Sequence, residues 1–401
     1  MIPKSFFAAV HRGMFFSGAI QSLIVMVFWA IDLGARRAGL WAEPSWSLPA
    51  YWLHGLVIIY GVFPFFIFGF ILTAGPRWQG YGETPSTVFI PAFWLLSMGW
   101  LVVWIGIAIV PLLIVPALVA ILFGWLVVTR HLWRIANWPN SERRHIRLAA
   151  LVVSLGALGL ILFTGFAATV EPILARLAIA IGLWGFVFPM FIIVIHRMLP
   201  FFSASVIPSF SGYRPYWALW IIACGAMAHG ILTFLEVQQW TWIVDIPIAL
   251  TTLRLTLKWH LRESLVDRLL AVLHIGFAWC GLSFVLFSLN SILIFAGYAG
   301  LGLAPLHALT LGFLASMLVG MASRVTLGHS GLPLIADVTM WLSFWIMQLA
   351  ALLRIAGEFF HLPAPWDLSF IASLLWLTAF ITWARGYAPY TWKPRADGHP
   401  G

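Results

Sequence analysis

Residues 88–131 read VFIPAFWLLSMGWLVVWIGIAIVPLLIVPALVAILFGWLVVTRH, and this stretch decides the fold class. No Asp, Glu, Lys or Arg occurs between Glu83 and Arg130. About 20 apolar residues carry a helix across the hydrocarbon core of a bilayer. The stretch is therefore long enough for two crossings, with Pro111 between them. Proline lacks the N–H a helix interior needs, so it punctuates the run. Outward from here the same reading gives twelve spans, at 14–34, 50–74, 88–109, 111–131, 146–168, 172–196, 215–235, 240–257, 266–289, 306–326, 333–355 and 367–385. The whole 401-residue chain agrees: 62% is apolar and 9% charged, against roughly 25% charged in soluble domains. So few charges exclude a soluble enzyme, a nucleic-acid binder and a disordered chain. The expected fold is all-α, a polytopic transmembrane helical bundle in a lipid bilayer, with residues 1–401 as a single integral membrane domain.

The formal charge of +9 follows from where the basic residues fall. All but four of the 22 Lys and Arg lie at the termini or in the even-numbered loops; the exceptions are Arg36, Arg37, Arg176 and Arg354. The positive-inside bias then places both termini in the cytoplasm. The N-terminal MIPKSFFAAVHRGMFF runs into a long apolar stretch without a small-residue cleavage site, as a retained first span does. Many of the 24 tryptophans fall near span ends, where indoles sit at the membrane interface. Cys224 and Cys280 both lie inside apolar runs, so a disulfide framework and a CxxC site are absent.

Ionisable side chains at membrane depth are costly and mark functional candidates. Here the outstanding class is histidine, with twelve copies. His145, His260, His361 and His399 are expected to be solvated in loops or the tail, and His131, beside Arg130, to meet headgroups. Seven remain. In the deduced topology His54, His229 and His307 belong to the outer leaflet, and His11, His196, His274 and His329 to the inner. Imidazole is the usual axial ligand of haem and also suits copper. Each of these histidines taken alone also fits a core residue hydrogen-bonded to the backbone. Span ten adds Ala308, Gly312, Ser316 and Gly320 at every fourth position. Such a ridge lets a helix, or a flat macrocycle, come close to the backbone. Arg324, lower on that helix, is a candidate for a haem propionate or a phospholipid headgroup. Spans two and ten share a layout, entering at His54 and His307 and leaving at Arg77 and Arg324. Asp245 in span eight is a possible proton-relay group without an identifiable partner. Walker-type, HExxH and GxSxG motifs are missing, so nucleotide chemistry and soluble-type hydrolysis are set aside.

Four blocks carry a further signal. They are His307-Ala-Leu-Thr-Leu-Gly312, Arg324-Val-Thr-Leu-Gly-His329-Ser-Gly331, Leu273-His274-Ile-Gly-Phe-Ala-Trp279, and Gly69-Phe-Ile-Leu-Thr-Ala74 with Trp78 and Gly80. In them the sequence resembles the NnrS family of haem- and copper-containing membrane proteins, whose signatures include HALTxG, RxxLGHxG, LHxGYAW and GFLLTAxxxWxG. The segment HRMLPFF at 196–202 resembles a stretch seen in some members. The resemblance implies a twelve-span inner-membrane protein of bacteria that takes part in tolerance of nitric oxide and nitrosative stress, often alongside denitrification. It supplies no defined reaction. One departure stands out: members tend to open span two with an HxHE-type cluster, and here His54 is followed by Gly55, Leu56 and Val57. Two other readings compete. One is a quinol-linked redox enzyme of haem-copper oxidase-like design, the other a twelve-span secondary transporter.

Overall fold

The computed structural model describes residues 4–140 and 142–398; His399, read above as a tail residue, lies outside them. Long apolar runs close their own backbone hydrogen bonds as helices, and no strand occurs among the described residues. The helices in chain order are α1 (Val10–Arg36), α2 (Ala50–Gln79), α3 (Ser86–Ala108), α4 (Pro111–Ala136), α5 (Arg144–Thr169), α6 (Pro172–Val206), α7 (Tyr216–Phe234), α8 (Trp242–Lys258), α9 (Arg268–Phe295), α10 (Ala304–His329), α11 (Val338–Ala356) and α12 (Leu368–Thr391). Eleven of them are long and apolar enough to cross a membrane. The exception is α8, the eighth predicted span, with only 17 residues. Asp245 in its first turn and Lys258 in its last cut its apolar run short, yet it packs along α7 and α9.

Sequential helices pack as neighbours except α2 and α3, α2 packing on α1 and α4 instead, and α12 returns to pack on α1. The two chain ends meet there: Arg12 Nη1 donates to the Lys393 carbonyl at 2.8 Å and to the Ser5 carbonyl at 3.1 Å. This is the termini end of the bundle. The far end holds Asp32, which accepts from Arg36 Nε at 2.7 Å, and the ion pair of Arg354 with Glu358 at 2.5 Å. One contiguous apolar core runs between the two ends.

The three most enclosed crossing helices, α2, α6 and α10, each contain a π-helical stretch: Ile58–Val62, Ile181–Val187 and Ala308–Ala315. Such segments carry an extra residue in a turn and recur at functional sites. Close packing accommodates two of them. Tyr60, in the first, donates from its hydroxyl to the Ala178 carbonyl of α6 at 2.6 Å. The ring fits because its neighbours are glycines. A Cβ on Gly159 would overlap the Tyr60 hydroxyl, and one on Gly182 would lie 2.5 Å from it.

Gly159→Ala is therefore expected to lower thermal stability in detergent by about 1–3 kcal/mol through overpacking. Gly185→Ala, where the nearest atom stands 3.7 Å away, is expected to be neutral. Melting followed by size-exclusion of the unheated fraction distinguishes the two.

Candidate metal-binding histidine pairs

At the termini end, α1 begins at Val10 and α10 finishes at His329, which brings together two histidines 318 positions apart in sequence. The His11 and His329 rings lie 4.5 Å apart, centre to centre, tilted by 44°. His11 is buried, and its Nδ1 has no hydrogen-bond partner among the described residues. An imidazole nitrogen buried without a partner is costly, so each such atom calls for an explanation. The surroundings are basic. Arg12 is 1% exposed, and Arg77 and Arg395 stand within electrostatic range of His329. A cavity of about 120 Å³ is lined by Arg77, Glu83, Thr84, His329 and Arg395.

A second pair lies at the far end. His54, in the first turns of α2, stacks on Trp29 of α1, with ring centres 4.0 Å apart and planes 14° from parallel. Its Nδ1 is buried without a partner, and His307 stands within electrostatic range. His307 Nδ1 donates to the Leu303 carbonyl at 2.9 Å, which leaves Nε2 as its lone-pair nitrogen. Metal-bound histidines are commonly oriented in this way, through the ring nitrogen that does not ligate. The π-helical stretch of α10 begins at the next residue, and that of α2 begins four residues after His54. Arg36 and Arg354 flank the pair, each already ion-paired within its own helix end.

The other candidates are not brought into these pairs. His229 Nδ1 bonds Asp245 Oδ1 at 2.7 Å, with both residues buried and Trp184 and Phe287 packed against the imidazole. Asp245 thus has the partner that the sequence did not reveal. His274 is fully buried and bonds Ser203 Oγ at 2.9 Å through Nε2, leaving Nδ1 without a partner. His196 has both nitrogens engaged. Its Nε2 donates to the Pro215 carbonyl at 3.0 Å, so its Nδ1 accepts from His145 Nε2, also at 3.0 Å. His145, expected in a solvated loop, is 1% exposed in the first turn of α5. Its neighbours Arg143, Arg144 and Arg147 mask the helical spacing of His145, Ala149 and Val153, which places it on the buried face. His131, expected at headgroups, is likewise buried, with neither ring nitrogen partnered among the described residues. Arg324 is buried too: its guanidinium sits over the Phe202 ring at 4.0 Å rather than at the lipid surface.

The small-residue ridge of α10 is covered by α9. A Cβ on Gly312 would come 2.5 Å from the Trp279 ring, and one on Gly320 would meet Leu273 and Val272. Among the described residues no three His, Cys, Asp or Glu side chains converge to hold a metal ion, so His54, His229 and His307 do not form a three-ligand centre. Both cysteines are free thiols, Cys280 buried and Cys224 exposed.

The sequence profile of the family described as NnrS protein matches residues 5–395. No curated protein matches the chain.

Two outcomes test polar contacts outside these pairs. Removing either partner of His229–Asp245 as alanine is expected to cost about 1–3 kcal/mol by leaving the other buried and unpaired. In a double-mutant cycle the double alanine should cost less than the sum, with a coupling of about 0.5–3 kcal/mol. The second concerns Glu142, in the loop before α5. Burial raises its pKa, but hydrogen bonds from the Tyr216 hydroxyl and the Arg144 N–H, with the nearby His145 and Arg144 charges, hold it below the usual value. Its contribution is therefore full above the unfolded carboxylate value of about 4.3. It is lost as pH falls through the lower folded value. Tyr216→Phe should melt below wild type at neutral pH, and the gap should close in acid.

Proposed function

Because the chain belongs to the NnrS family, we propose that it is a metal-bearing protein of the bacterial inner membrane that contributes to tolerance of nitric oxide and nitrosative stress, in cells that denitrify. The observation that carries this reading is the pairing of His11 with His329 beside an unpartnered ring nitrogen. In this orientation both termini lie in the cytoplasm, and the pair sits at the inner face.

The donor sets discriminate between the two groups the family implies. A metal–imidazole bond is about 2.0–2.1 Å, so two imidazoles on opposite faces of one haem iron have ring centres roughly 6 Å apart. At 4.5 Å, His11 and His329 do not fit a macrocycle between them. They suit two nitrogens on one ion, and the imidazole donors suit copper. At the far end, His307 would hold a haem iron through Nε2, with His54 beside it. That assignment rests on the Leu303 carbonyl fixing Nδ1 as the protonated nitrogen. Reduced haem and cuprous copper both bind nitric oxide, an apolar molecule that concentrates in a bilayer.

What the chain itself contributes is position and exclusion. The Leu303 carbonyl sets the His307 tautomer, and Trp29 fixes the His54 plane. The termini-end cavity beside His329 is lined by Arg77 and Arg395 together with Glu83, so it presents both signs of charge.

Metal analysis and the visible spectrum of the detergent-purified protein test this. Each of His11→Ala and His329→Ala is expected to lose about one equivalent of copper, and His307→Ala the haem absorbance. His131→Ala, a buried histidine outside both pairs, should keep both. Wild-type metal content in all the pair variants would overturn the reading.

A further inference from the structure

From a small cavity where α1, α2, α6 and α10 cross we infer a docking site for an apolar gas molecule, monatomic or diatomic in size. The cavity holds about 50 Å³. Its walls include Phe15 of α1, Phe66 of α2, Met190 and Phe191 of α6, and Leu318 and Met321 of α10. Close-packed interiors leave few voids larger than a water, so a gap of this size calls for an occupant.

Size, polarity and access select that occupant. One water needs about 10–15 Å³ on the same measure, so the space takes up to about four atoms of that size. A substituted six-membered ring or a macrocycle is too large. Every lining side chain is apolar. A water needs two to four polar partners, whereas a dry apolar cavity takes up species such as xenon. None of the lining residues is exposed, and α2, α6 and α10 are the most enclosed of the crossing helices. An acyl chain therefore has no open wall to enter by. The larger gap between α1 and α3 differs in this respect, because Ile20 and Leu101 on its rim are exposed to the lipid side.

Two glycines hold the walls back. A Cβ on Gly18 of α1 would come 2.7 Å from the Phe66 ring, and one on Gly69 of α2 would come 2.8 Å from the Phe15 ring. Each ring thus lies against the backbone of the other helix, the two ring centres 5.4 Å apart, and neither fills the gap. Met190 and Met321 are flexible thioethers that can part to admit a small molecule. Phe15 also meets the His11 ring edge-on at 5.8 Å, so the site lies one aromatic ring away from the His11–His329 pair. It follows from the cavity alone and stands whether or not that pair holds metal.

The test places the full chain, isotopically labelled at its methionine methyl groups, in nanodiscs under rising xenon pressure and follows the methyl resonances. Those of Met190 and Met321 are expected to shift and saturate, as for one filled site. That of Met227, exposed on α7, should drift linearly with xenon dissolved in the lipid. Ala322→Leu, which fills the cavity, should abolish the saturating shift. Leu318→Ala, which enlarges it, should raise xenon uptake at saturation about twofold, and it decides the matter if the leucine variant fails to fold. Linear shifts at Met190 and Met321 like that of Met227 would overturn the inference. So would a saturating shift left unchanged by folded Ala322→Leu or by Leu318→Ala.

Discussion

A polar ring enclosed by apolar helices must find a hydrogen-bond partner, bind something, or carry the cost of being unsatisfied, and that constraint organises this bundle. The backbone meets it through helices, because lipid offers no alternative partner for N–H and C=O groups. The side chains meet it one at a time. His229 has Asp245, His274 has Ser203, and His145 and His196 have one another and the Pro215 carbonyl. Those bonds tie α7 to α8, α9 to α6 and α5 to α6. His11 and His54 share an unpartnered buried ring nitrogen with His131, His145 and His274; what distinguishes them is a second imidazole nearby from α10.

One helix therefore serves both ends. His307 opens α10 and His329 closes it; His329 packs on His11 of α1, and His307 stands within electrostatic range of His54 of α2. The π-helical stretches of α2 and α10 adjoin the far-end pair, whereas the third, in α6, carries Trp184 against His229. The ridge of small residues on α10 admits α9 at close range between the two histidines. The His11 and His329 rings, 4.5 Å apart, are too close to admit a macrocycle between them.

Most of the fold was legible because its signal is long-range and redundant. Twenty apolar residues outweigh any local ambiguity, and eleven crossing helices lie where the apolar runs predict them. Legibility failed where one residue decides. Arginines next to His131 and His145 made both look interfacial, although their helical spacing turns them inward. Arg324 looked like a surface cation, and the Phe202 face that receives it comes from a helix more than a hundred residues earlier. The Asp245 partner was only sixteen residues away, but on the preceding antiparallel helix, where no periodicity within one helix points to it. The candidate ligands could be enumerated from sequence, whereas their pairing depends on packing between α1, α2 and α10. The π-helical turns left no pattern that could be read in the chain.

We propose that the His11 and His329 imidazoles converge on one ion at the termini end. X-ray absorption at the copper edge of the purified, copper-loaded protein measures this most directly, compared with His11→Ala. The expected spectrum shows nitrogen ligation with the outer-shell scattering of two imidazoles per copper, and His11→Ala, which does not retain the ion, shows no such site. Sulfur ligation, or imidazole scattering that is unchanged when His11 is removed, would contradict it.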